Sequence, residues 1–157
     1  MNIFVRNPFS RRRFAGLALA LCVVPAALAA TPDASELSSS CLSYDSTSTK
    51  LIGTLLSRPY YGPPNYGETP STDSRERAFL LLLDAPICVT ASAHPEKDNN
   101  SFERDQIVVH LAPSHVKPKE VARMLGRQVT ATGQLYHAFT GHHRTPVLLD
   151  VYGIEAR

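Results

Sequence analysis

The 157-residue chain is predicted to be mainly β: a small five-stranded OB-like barrel with one short helix between strands three and four. Three features carry that expectation. Five segments alternate apolar and polar residues or run apolar throughout, and one segment of helical period falls between the third and fourth of them. Gly53 and Gly133, inside the first and fourth strands, also suit the sharp curvature that closing so small a barrel demands.

Taken in order, KLIGTLLS (residues 50–57) sets Leu51, Gly53 and Leu55 against Ile52, Thr54 and Leu56, a strand with a bend or bulge at its glycine. RPYYGPPNYGETPSTDSRE (58–76) carries four prolines and two glycines and reads as loop. RAFLLLLDAPICV (77–89) is an apolar run broken by Pro86, a central strand with a bend. ASAHPEKDNNSFERD (91–105) is a second polar loop, and QIVVHLA (106–112) turns Ile107, Val109 and Leu111 inward as a third strand. The period then changes. In KPKEVARMLG (117–126) Pro118 sits where a first helical turn tolerates it, Val121, Met124 and Leu125 recur at helical spacing, and Gly126 is a natural stop. RQVTATGQLY (127–136) is the clearest strand, with Val129, Ala131, Gly133 and Leu135 on one face; HAFTGHHRTP interrupts, and VLLDVYGI (147–154) ends the barrel.

The ends bound the domain. Residues 1–29 combine Arg6, Arg11, Arg12 and Arg13 with the apolar stretch AGLALALCVVPAALA and small residues at Ala27–Ala29, the tripartite pattern of an export signal. That stretch falls short of the ~20 apolar residues that span a bilayer, so no stable membrane anchor is expected. SRRRF also resembles a twin-arginine signal, which leaves the export route open between that and the general secretory one. Residues 30–40 are small and polar and read as a disordered mature N-terminus, with a single domain over 41–157. Without the leader, 12 basic face 14 acidic side chains, a net charge of −2, so a nucleic-acid partner is not expected. Two cysteines remain, Cys41 and Cys88, and in an oxidising compartment an even pair reads as a disulfide.

In an OB-fold the loops joining strands one to two and four to five flank one binding face. Here they are the two oddest segments of the chain, YYGPPNY with Tyr60, Tyr61, Asn65 and Tyr66, and TGHHRTP with His142, His143 and Arg144. Rigid aromatic area beside imidazole and guanidinium donors suits a small polar ligand, a glycan or an envelope peptide or protein, and these seven residues are the candidate cleft. No cofactor is expected on that reading. Its first rival is a transition metal such as zinc or copper held by His137, His142 and His143, with His110 or Asp150 completing the shell. The second is a small hydrolase using His142 or His143, or an acid–base pair drawn from Glu68, Asp73 and Glu76. No G-x-S-x-G, H-E-x-x-H or C-x-x-C motif supports an enzyme, and a non-enzymatic binding module is the favoured class.

CLSYD at Cys41, GPPNY at Gly62, LDAPICV at Leu83, LGRQVTATGQL at Leu125 and TGHHRTPVLL at Thr140 together resemble a family of small exported bacterial proteins known as a domain of unknown function. The likeness runs from about Cys41 to Tyr152 and implies a periplasmic or secreted envelope protein with Cys41 and Cys88 paired; it implies no activity. Where that family tends to carry a third consecutive histidine, this chain has Arg144.

Overall fold

A computed structural model describes residues 41–94 and 101–157. The proposed leader and the polar N-terminus lie outside the described residues. The chain forms β1 (Leu42–Ser43), β2 (Thr49–Tyr61), β3 (Arg75–Thr90), β4 (Glu103–Ala112), α1 (Pro118–Ala122), β5 (Gln128–His137) and β6 (Val147–Ala156). Strand β2 pairs antiparallel with both β3 and β5, β5 with β6, and β3 with β4. Parallel pairing of β4 with β6 closes the ring. The result is a mixed five-stranded closed barrel with its short helix between β4 and β5, the predicted class.

Alternation in β2, β5 and β6 places Leu51, Leu55, Val129, Ala131, Leu135, Leu149 and Val151 inside, where they form one core with Leu81, Val109 and Leu111. The two strand glycines are needed for close approach. A Cβ at Gly53 would collide with the Leu82 carbonyl and one at Gly133 with the Asp150 carbonyl, and the β5–β6 register slips at Gly133. Leu42 and Ser43 add β1 in parallel to Val89 and Thr90, beside the Cys41–Cys88 disulfide.

Several expectations need correction. Tyr60 and Tyr61 are not in a loop: β2 continues through RPYY, pairing Tyr60 with Glu76 and Tyr61 with Arg75. Beyond Thr54 its ladder with β5 ends, so Pro59 lies on an edge where a missing N–H costs little, and the tyrosines favour strand. The connection is therefore residues 62–74. Ile107 is 50% exposed, unlike Val109 and Leu111, because the β3–β4 register shifts between Leu82 and Ile87 as β4 enters the barrel. The helix has five residues, followed by turns; Val121 is buried in the core, whereas Leu125 is exposed beyond the helical run.

A second layer lies on the outside of the wall. Leu80 and Leu148 face away from the core residues on either side of them, yet they are 4% and 0% exposed. The registers line up Leu56, Leu80, His110, Leu148 and Tyr136 as one outward row across β2, β3, β4, β6 and β5. Segment 138–146 lies over this row. The His110 amide donates to Thr145 Oγ1 (2.9 Å), and the Arg144 amide approaches His110 Nδ1 (3.4 Å).

Candidate functional site

The two unusual loops meet. The Tyr66 hydroxyl is 3.1 Å from His142 Nε2, their rings meeting edge to face at 5.3 Å, and Gly141 leaves room for the Tyr66 ring. His142 Nδ1 lies 3.0 Å from the Glu76 carboxylate, so both imidazole nitrogens are engaged. Arg144 holds the junction together. Its guanidinium donates to Glu76 (2.8 Å), to the Gly141 carbonyl (2.9 Å) and to the Tyr61 carbonyl (3.2 Å), and sits 4.7 Å from the Tyr60 ring centre. At 10% side-chain exposure Arg144 is a tie between the loop and the β2–β3 ribbon.

Each remaining predicted residue has a definite place. Tyr61 lies on the opposite face of the ribbon from Tyr60, under Arg75 at 3.9 Å. The amides of Asn65 and Gly67 donate to Asp73 (2.9 and 2.7 Å), so Asp73 shapes the 62–74 turn. Burial opposes ionisation there, but the N–H donors of Gly67 and Asn65 outweigh it and hold the carboxyl below its usual range. Glu76 is consumed by His142 and Arg144, and Glu68 is exposed, so the three acids do not assemble as an acid–base pair.

His143 turns the other way. It accepts the Phe139 amide on Nδ1 (3.0 Å) and packs against Phe139 (4.7 Å), Tyr136 (5.5 Å) and His110 (6.5 Å). Desolvation, with His142 and Arg144 nearby, lowers its pKa; beneath it, burial with His143 and Arg144 alongside takes His110 down to about 4. Both therefore serve as neutral packing groups. His137 lies at the end of β5, with Nε2 2.9 Å from Glu103 and 3.2 Å from Ser101 Oγ, and Nδ1 facing the Ala138 carbonyl (3.0 Å). A hydrolytic relay needs acid and hydroxyl on different ring nitrogens, and here both sit on one. The three histidines considered for a metal thus point to three separate surroundings. Among the described residues no group of three His, Cys, Asp or Glu side chains is placed to hold an ion.

Beside the junction the outer wall carries two shallow hollows. One, of about 400 Å³, is lined by Glu76, Arg77, Ala78, His110, His142 and Arg144. The other, of about 290 Å³, has Leu56, Leu80, Leu82 and Val108 as its floor and Arg58, Tyr60, Arg144 and Thr145 as its rim. Leu82 is 39% exposed. Sequence reasoning missed this groove. The signal was present in LLLL, where a wall residue and a core residue must alternate, but which of the outward leucines stays open depends on how far 138–146 reaches.

Residues 108–155 match the domain of unknown function DUF4431. The DUF4431 match takes in the second half of β4, α1, β5, the 138–146 loop and most of β6, and so contains LGRQVTATGQL and TGHHRTPVLL. CLSYD, GPPNY and LDAPICV lie outside it. The DUF4431 segment thus supplies the covering loop and its Arg144 tie, while the tyrosine-bearing ribbon and Glu76 come from the preceding half of the barrel. No curated protein matches the chain. Among the described residues no helix is long and apolar enough to cross a membrane, and the Cys41–Cys88 disulfide is consistent with an extracytoplasmic protein.

Proposed function

We propose that the chain is a periplasmic or secreted, non-enzymatic binding module that takes an extended peptide segment of an envelope protein in the groove on the outer wall beside the 138–146 loop. One observation carries this reading: an aliphatic floor of Leu56, Leu82 and Val108, with Leu80 buried among them, lies beside a rim whose arginines are Arg58 and the immobilised Arg144. An exposed apolar strip bordered by cations complements a strand that alternates apolar and acidic side chains. The groove itself offers a glycan little stacking area, because its one ring, Tyr60, is already covered by Arg144. In this reading Tyr66, His142 and Glu76 form the frame, and Tyr60, Arg58 and Arg144 form the edge that meets the ligand. The mature net charge of −2 supports a partner other than nucleic acid.

The test is thermal unfolding of oxidised protein with a synthetic peptide alternating Glu and Leu, against a Lys–Leu control and a neutral glycan panel. Stabilisation by the acidic peptide alone, lost in Arg58→Ala and in Leu82→Ser while both variants remain folded, is the expected result. No stabilisation by any acidic–apolar peptide, or stabilisation unchanged in both variants, overturns the assignment.

A further inference from the structure

We infer that the barrel carries a second binding site, for a neutral hydroxylated ligand of the saccharide type, in the cavity lined by Tyr44 and Asp150. This cavity, of about 420 Å³, is bounded by Tyr44, Ser114, Gln134, Leu135, Tyr136, Phe139 and Asp150 and shares no lining residue with the groove or the junction. Its volume falls within the range of small-molecule sites, roughly 300–1,000 Å³.

The chemistry of the lining points to the ligand. Among the described residues just two buried side-chain polar atoms lack a hydrogen-bond partner, the Tyr44 hydroxyl and Asp150 Oδ1, and both residues line this cavity. Buried polar groups are almost always satisfied, so two orphans at one cavity mark a place built for a polar guest. Tyr44 is 4% exposed. Burial, with the Glu103 carboxylate adding to it, raises its pKa far above the usual phenol value, so the hydroxyl stays a donor. Asp150 offers an acceptor on Oδ1, while Oδ2 faces His115 at 3.5 Å. Gln134 uses its carbonyl to accept from the Tyr152 hydroxyl (3.1 Å), which directs its amide nitrogen to other acceptors. A phenol donor and a carboxylate acceptor lining one cavity suit a ligand rich in hydroxyls, each of which gives and takes a hydrogen bond. Phe139, 73% exposed, and Tyr136 add the ring faces on which the C–H surface of a sugar rests. An ammonium ligand would also meet a carboxylate and aromatic rings, but it would leave the Tyr44 and Gln134 donors opposed to a cation.

The experiment titrates the oxidised protein by calorimetry with glucose, N-acetylglucosamine, cellobiose and maltose, and with tetramethylammonium as the cationic probe. At least one saccharide binds, and Asp150→Asn and Tyr44→Phe each weaken it by roughly tenfold or more, the factor expected when a bond to a charged or buried group is lost. Tyr44→Phe does not lower the unfolding temperature, since its hydroxyl has no hydrogen-bond partner among the described residues, and Arg58→Ala leaves saccharide affinity unchanged. Silence toward every saccharide, the outcome if the orphans hold only water, overturns the site. Binding of tetramethylammonium in their place, or saccharide affinity unaffected by both cavity variants, does so too. Because the groove is probed by peptide and by Arg58, failure of either site leaves the other standing.

Discussion

At the loop junction every charged group already has a partner: Glu76 is shared by His142 and Arg144, and Arg144 also reaches two carbonyls. In the cavity on β5 and β6, two buried polar atoms have none among the described residues. The same kinds of side chain are present in both places, yet they have opposite physical meanings. A satisfied network fixes the chain's own geometry, and its removal costs stability. An unsatisfied pair costs stability by being there, which is why the cavity is proposed as a binding site.

That contrast can be broken or sharpened by substitution. The largest effect belongs to Arg144→Ala, which strands a part-buried Glu76 and frees the 138–146 loop; a loss of roughly 3 kcal/mol in denaturant unfolding is expected. If the loss were within experimental error, the junction would be decoration. Next comes pH. His110 titrates at about 4 in the folded protein against 6.5 unfolded, so the unfolded chain binds the extra proton between those values. Stability therefore falls as pH drops from 6.5 toward 4, by on the order of 2 kcal/mol after allowing for partial exposure. His110→Gln should flatten that slope without abolishing it, because His143 is lowered in the same direction. Urea unfolding of both proteins at pH 7, 5.5 and 4.5 measures it. Tyr66→Phe removes one exposed bond to His142 and should cost roughly 0.5–1 kcal/mol. The smallest effect has the opposite sign: Tyr44→Phe deletes an unpartnered hydroxyl and should leave stability unchanged or raise it by about 1 kcal/mol.

The barrel was legible because its signals are local. Period-two alternation located β2, β5 and β6, Pro118 and Gly126 bracketed the helical turn, and Gly53 and Gly133 marked the places where strands come too close for a Cβ. The meeting of the two loops followed from strand order. What the loops do to one another was not legible, since it depends on pairs far apart in sequence such as Arg144 with Glu76 and Tyr66 with His142. The paired histidines gave the same signal whichever way they faced; one bridges to the ribbon and its neighbour caps His110. Tyr60 and Tyr61 were read as loop because prolines dominate their surroundings, while the edge position that tolerates Pro59 is a property of the sheet. Tyr44 stayed hidden because a single tyrosine beside a disulfide carries no pattern.

The most direct measurement is a residue-resolved NMR titration of the oxidised protein, first with the Glu–Leu peptide and then with the saccharide that binds most tightly. Amide shifts confined to the Arg58, Leu82 and Val108 region for the peptide, and to Tyr44, Gln134 and Asp150 for the saccharide, with Tyr66 and His142 still, are the predicted result. Shifts centred on Tyr66, His142 and His143 for either ligand would mean that the self-satisfied junction opens to bind, and would contradict the division between frame and recognition surface.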